Sequence, residues 1–150
     1  MLHAVLTIRR SSIAEIREHE HGLCAMNVRD THGRDAAVSW DFYGKADDDG
    51  VMDCVAAWWD DRMVGYCVAM RYSHPQTAAA LSIVVALYAL PGHARAGLAL
   101  RRMLEVSSDI AQASGAERVC VEQSMQGRLG PLLMRLGFAP ASVSYEKAVR

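Results

Sequence analysis

The stretch LYALPGHARAGLAL, residues 87 to 100, decides the fold of this 150-residue chain. It joins a hydrophobic run, residues 80 to 90, to a segment with helical periodicity, residues 96 to 114. Pro91 and Gly92 separate the two, and small residues fill the turn. Since the first turn of a helix presents unpaired N–H groups and a positive dipole end, this turn suits an anion such as a pyrophosphate. A plain structural turn explains the same spacing, because many strand-to-helix turns contain glycine.

The overall composition is typical of one folded domain spanning residues 1 to 150. Hydrophobic residues make up 51% of the chain, and 16 Lys and Arg oppose 17 Asp and Glu. A chain of this length buries roughly 70% of its unfolded surface without help from a metal or a disulfide. The composition excludes a disordered chain. The formal net charge of −1 argues against a general binder of polyanions.

The sequence predicts a cytoplasmic protein with no membrane partner. Its first residues, MLHAVLTIRR, place the positive charges behind a short apolar run, whereas a signal peptide has them in front. The longest apolar stretch, residues 78 to 90, is shorter than the roughly 20 residues that a membrane span needs. The cysteines form no C-x-x-C pair, which is typical of reduced, buried thiols.

Secondary-structure signals continue on both sides of the junction and predict a mixed α/β (α+β) architecture. Ser12 with Glu15 three residues later forms a capping box that opens the first helix. The predicted order is a strand at 2–9, helices at 12–26 and 36–46 around a polar stretch at 27–35, a hairpin at 51–59 and 63–72, a central strand at 80–90, a helix at 96–114, a strand at 117–122, a helix at 130–136 and a last strand at 142–149.

Three motifs, which follow one another along the chain in the same order as in the family, resemble the GNAT superfamily of acetyl-CoA-dependent N-acetyltransferases. RMVGY at residues 62–66 resembles the family's G-x-x-V-G-Y strands, and GPLLMRLGF at 130–138 is similar to its closing L-Y-x-K-x-G-F segment. HARAGLA at 93–99 lies where the family has the phosphate loop Q/R-x-x-G-x-G/A. Gly97 and Ala99 match its last two positions, whereas Ala94 replaces the usual Gln or Arg.

Two further segments are similar to a GNAT group that is common in bacteriophage and prophage genomes. They are EHE at residues 18–20 and WDFY at residues 40–43. A phage-encoded protein would act in the host cytoplasm.

The resemblance implies a central mixed, mostly antiparallel sheet that is flanked by helices and split by a V-shaped cleft. Two strands would diverge after a bulge near residues 88 to 90. The pantetheine of acetyl-CoA would pair with the strand backbone and its pyrophosphate with the N–H groups of the turn, and no metal is implied. The implied cofactor-binding residues are Leu87, Tyr88, Ala89, Leu90, Ala94, Arg95, Ala96, Gly97, Leu98 and Ala99.

The resemblance also implies direct attack of an amine on the thioester in a ternary complex, with a backbone N–H at the bulge polarising the carbonyl. Glu122 is the candidate base, acting through a water, although a plain surface carboxylate fits its position equally well. Leu133 replaces the tyrosine that is the usual acid. Tyr88, Ser124 and Tyr145 are candidate replacements, and a thiol with a pKa of about 8.5 also leaves without an acid.

The acceptor and the partners stay open at this point. A primary amine on a small molecule, a protein or a modified nucleotide fits, and family members are often homodimers. The departures at Ala94 and Leu133 favour a second hypothesis, an accessory protein that has lost catalysis. A nucleic-acid partner is disfavoured by the neutral charge, although a local patch of arginines leaves it open. These arginines are Arg95, Arg101, Arg102 and Arg128.

Overall fold

The computed structural model of the protein describes residues 3–33, 37–123 and 128–149. Five strands form one sheet in the order β1-β2-β3-β4-β5. The first four strands pair antiparallel and β5 pairs parallel to β4, which confirms a mixed, mostly antiparallel sheet. The elements are β1 (Leu6–Ser11), α1 (Ile13–His19), α2 (Leu23–His32), α3 (Trp40–Asp48), β2 (Met52–Trp59), β3 (Arg62–Ser73), β4 (Ala80–Ala89), α4 (Ala96–Ala113), β5 (Arg118–Val121) and α5 (Gly130–Arg135).

Helices cover both faces of the sheet, as predicted. Because successive side chains of a strand point to opposite faces, Cys54 packs toward α1, α2 and α3, while Val55 packs toward α4 and α5. Ile16 anchors the first layer and Met103 the second, and both are almost completely buried. Strands β2 and β3 are therefore buried along most of their length.

The first predicted helix is divided in two. The Ser12 hydroxyl accepts the Glu15 N–H at 3.1 Å, as the capping box predicts, but the Glu15 carboxylate binds Arg9 and Ser11 instead of closing the box. The helix ends at His19, because His21 and Gly22 take positive φ angles of 42° and 89°. A new helix, α2, then covers most of the stretch that was predicted to be a polar loop.

The predicted last strand is absent. Residues 142 to 149 form no strand, and the Tyr145 side chain is 93% exposed. The alternating pattern of these residues favours a strand, but a strand also needs a neighbouring strand for its backbone hydrogen bonds. In the described residues, this segment pairs with no strand.

The bulge of β4 lies at Val85 and not at residues 88 to 90. Ala86 pairs with Val68 and Val84 pairs with Ala69, so that Val85 is the extra residue on β4. The bulge reverses the alternation of the strand. Val84 packs toward α4, whereas Ala86 and Tyr88 pack toward the other layer.

Candidate active site

The sheet divides where β5 stops pairing with β4. The parallel pairing runs from Leu81 to Val84 and ends at Val121, one residue before the bulge. Beyond it, the two strands enclose a cleft of about 1020 Å³. One wall is the end of β4, the other is formed by residues 121 to 123, and residues of α2 and of the 37–43 segment also line the cleft. The predicted split of the sheet is therefore present, three to five residues earlier than expected.

Only alternate residues of β4 present their backbone to this cleft. The Leu90 N–H donates to the Val64 carbonyl at 2.7 Å, and Tyr88 pairs with Tyr66 on the same strand. Because backbone polar groups alternate along an antiparallel strand, those of Tyr88 and Leu90 face β3, whereas those of Leu87 and Ala89 face the open edge. Of the four residues whose backbones are predicted to pair with pantetheine, Leu87 and Ala89 therefore have groups that face the cleft, whereas those of Tyr88 and Leu90 are directed to β3.

The turn between β4 and α4 is built around His93. Its Nδ1 accepts the Arg95 N–H at 3.2 Å, its carbonyl accepts the Ala96 N–H at 3.0 Å, and its ring packs edge-on against Trp59. The Ala99 N–H is bound to the Arg95 carbonyl at 2.8 Å. Three of the six predicted phosphate donors, Arg95, Ala96 and Ala99, therefore have N–H groups that are already used.

The other three donors of this turn are available. Within the part of the chain that the structure describes, the N–H groups of Ala94, Gly97 and Leu98 have no hydrogen-bond partner. A Cβ atom added to Gly97 would meet nothing within 4 Å, so the space in front of this first helical turn is open. These unpaired N–H groups suit an anionic group, and phosphate binding at this turn stays a prediction.

Two hydrogen bonds tie α2 to the sheet at the cleft. The Tyr88 hydroxyl donates to the Asp30 carboxylate, and the Asn27 amide donates to the Tyr66 hydroxyl at 2.8 Å. Burial raises the pKa of Tyr88, and the neighbouring Asp30 carboxylate raises it further, so the phenol keeps its proton. Sequence analysis missed Asp30 and Asn27, whose spacing of three residues places them on one helix face only if α2 is helical.

No family model and no curated protein matches the chain, but solved structures do. A predicted acetyltransferase from Clostridium acetobutylicum, crystallised with acetyl-CoA, is 14% identical with a TM-score of 0.77 over 96% of each chain. An aminoglycoside acetyltransferase from an uncultured soil metagenomic sample, in complex with sisomicin, is 11% identical with a TM-score of 0.74 over 97% of each chain. A transcriptional regulator from Bacillus halodurans is 13% identical with a TM-score of 0.78, over 97% of this chain and 100% of that one. The chain has the GNAT fold.

Within this GNAT fold, the candidate catalytic residues have different positions. Glu122 lies one residue beyond β5, lines the cleft and is exposed. Ser124 lies outside the described residues, and Tyr145 is exposed and does not line the cleft. Leu133, which the sequence resemblance aligns with the usual GNAT tyrosine, packs against the core beside α4. Among the predicted catalytic residues that the structure describes, Glu122 and Tyr88 are the two whose side chains line the cleft.

Two other chemistries find no support around this GNAT cleft. Burial raises the pKa of the Cys24 thiol to about 12, so it does not act as a thiolate nucleophile. Among residues 3–33, 37–123 and 128–149, no three His, Cys, Asp or Glu side chains come together as metal ligands. The His19 ring packs edge-on against Trp58. Across the same residues, no helix combines the length and the apolar character that crossing a membrane requires.

Proposed function

We propose that this protein transfers the acetyl group of acetyl-CoA to a primary amine. The observation that carries the proposal is the continuity of two features. The open edge of β4, with the backbones of Leu87 and Ala89, leads directly into the turn where the Gly97 and Leu98 N–H groups are unpaired. Pantetheine is an amide-containing chain and pyrophosphate is a dianion, so the two features suit the two parts of acetyl-CoA in the order in which they are joined.

The reaction is a direct acyl transfer within the cleft. A bond forms between the amine nitrogen and the acetyl carbon, the carbon–sulfur bond breaks, and the CoA sulfur leaves as a thiolate. Glu122 accepts the proton of the amine through a water, and solvent supplies the proton that the thiolate takes up. The N–H that polarises the carbonyl belongs to the bulge, so we now assign it to the region of Val85.

Glu122→Gln tests the assignment of the base. We expect turnover to fall by about 100-fold, since positioned general bases contribute on the order of 10² to 10⁴. Acetyl-CoA affinity should stay the same, because the substitution leaves the edge of β4 and the turn intact. Release of free thiol in the presence of an amine panel measures turnover. Glu117→Gln is the matched control, since Glu117 is an exposed carboxylate before β5 and does not line the cleft. Equal rates for the two variants would remove Glu122 as the base.

The amines tested in the thiol-release assay should begin with small molecules. A structural neighbour was crystallised with the amine sisomicin, which favours a small-molecule acceptor over a protein or a modified nucleotide. A homodimer, a cytoplasmic location and membership of the phage group stay predictions.

A second candidate is a GNAT-fold protein that binds acetyl-CoA and no longer transfers the acetyl group. It is favoured by Leu133, because a leucine packed in the core cannot protonate a leaving thiolate. Binding of acetyl-CoA with no thiol release for any amine would support this candidate. Thiol release that depends on an amine would exclude it.

A further inference from the structure

The Asp30 carboxylate lies in the part of the cleft that the proposed acetyl-CoA contacts leave free. The Tyr88 side chain reaches it from the face of the sheet covered by α2, whereas the Leu87 and Ala89 side chains pack toward α4. The lining of the same cleft includes five aromatic side chains, those of Trp40, Phe42, Tyr43, Tyr66 and Tyr88.

This carboxylate has no cationic partner within ion-pair distance in the described residues, although Arg128 lines the same cleft. Its partner is the neutral phenol of Tyr88, and it forms no ion pair among residues 3–33, 37–123 and 128–149. The phenol fixes one carboxylate oxygen, Oδ2, and leaves the other oxygen available. A carboxylate in a cleft that is lined partly by aromatic rings is a favourable environment for an organic cation, because charge-assisted hydrogen bonds and cation–π contacts act together.

The cation bound there is not the nitrogen that attacks the thioester. A nearby carboxylate stabilises the protonated form of an amine, whereas the attacking amine must be neutral. Asp30 therefore suits an amino group that stays charged during the reaction. We propose that Asp30, positioned by Tyr88, binds a second cationic group of the acceptor, which is consequently an organic cation with at least two amino groups. This inference rests on the proposed function.

Calorimetric titration with cadaverine and pentylamine tests the proposal, since the two have the same chain length and differ in one amino group. The wild-type protein should bind cadaverine at least tenfold more tightly, since a hydrogen bond to a charged group is worth about 1.5–3 kcal/mol. Asp30→Asn should abolish this preference, and Tyr88→Phe should reduce it. Asp41→Asn should preserve it, because Asp41 is an exposed carboxylate on α3 that does not line the cleft.

Two results would overturn the inference: a wild-type protein without preference for the diamine, or a preference that Asp30→Asn leaves unchanged. Thiol release from acetyl-CoA, measured on the same samples, tests the proposed function separately. A diamine preference that depends on Asp30, without any thiol release, would contradict the transferase and support the cation site. Thiol release with no diamine preference would support the transferase and contradict the cation site.

Discussion

Gly97→Asp should abolish acetyl-CoA binding without destabilising the free protein. The new carboxylate would lie in the open space before α4, where the proposal places the pyrophosphate, and repel it at short range. Acetyl-CoA at about 100 times its dissociation constant should stabilise the wild-type protein by about 2.7 kcal/mol and the variant not at all. Since an acidic residue in the first turn of a helix is favourable by about 0.3–1 kcal/mol, the free variant should melt at the wild-type temperature or slightly above it.

Thermal unfolding with and without acetyl-CoA measures both effects, and two variants serve as controls. Gly97→Asn has nearly the same shape without the charge and should keep part of the stabilisation. Gly44→Asp adds the same charge on α3, where an added Cβ also meets nothing within 4 Å and where the residue does not line the main cleft. This variant should keep the full stabilisation by acetyl-CoA. A Gly97→Asp variant that acetyl-CoA stabilises as much as the wild type would contradict the pyrophosphate site.

Arg71→Met should lower the free energy of unfolding by about 3 kcal/mol. The Asp53 carboxylate in β2 is 3% exposed and joins three strands through Arg10 on β1 and Arg71 on β3. Arg71 supplies two of the three hydrogen bonds, at 2.9 and 2.8 Å. Its loss leaves a buried carboxylate with one partner, and breaking a buried pair costs about 3–5 kcal/mol. We take the lower end because the Arg71 side chain is 41% exposed.

Urea denaturation measures this change, with an exposed ion pair as the reference. Arg101 binds Glu105 one helical turn away on α4 at 2.9 Å, and its side chain is 59% exposed. Arg101→Met should therefore cost about 0.5 kcal/mol or less. If both arginine variants unfold at the same urea concentration, Asp53 is stabilised by solvent and not by Arg71.

The parts of the fold that sequence predicted are those with local signals. Pro91 and Gly92 separate the hydrophobic run from the helical pattern, and the structure starts α4 at Ala96 as predicted. The β2–β3 hairpin followed from two strand-forming runs around a polar turn, and its observed strands agree within about two residues. In each case, the residues that determine the element lie inside it or next to it.

The parts that sequence missed depend on distant partners. The bulge at Val85 is defined by the pairing with β3, and no residue within β4 predicts it. Asp30 was assigned to a loop because α2 lacks a strong apolar pattern, and its partner Tyr88 is 58 residues away. Leu90 was predicted to bind the cofactor, and only the position of Val64 shows that its N–H is already used.

Amide hydrogen exchange, resolved by residue with and without acetyl-CoA, tests the central claim most directly. Acetyl-CoA should newly protect the N–H groups of Leu87, Ala89, Gly97 and Leu98, which have no partner strand or helical acceptor among the residues that the structure describes. The N–H groups of Tyr88 and Leu90 should change little, because β3 already binds them. Protection confined to another surface, or no protection at a saturating concentration, would contradict the assignment of this cleft to acetyl-CoA.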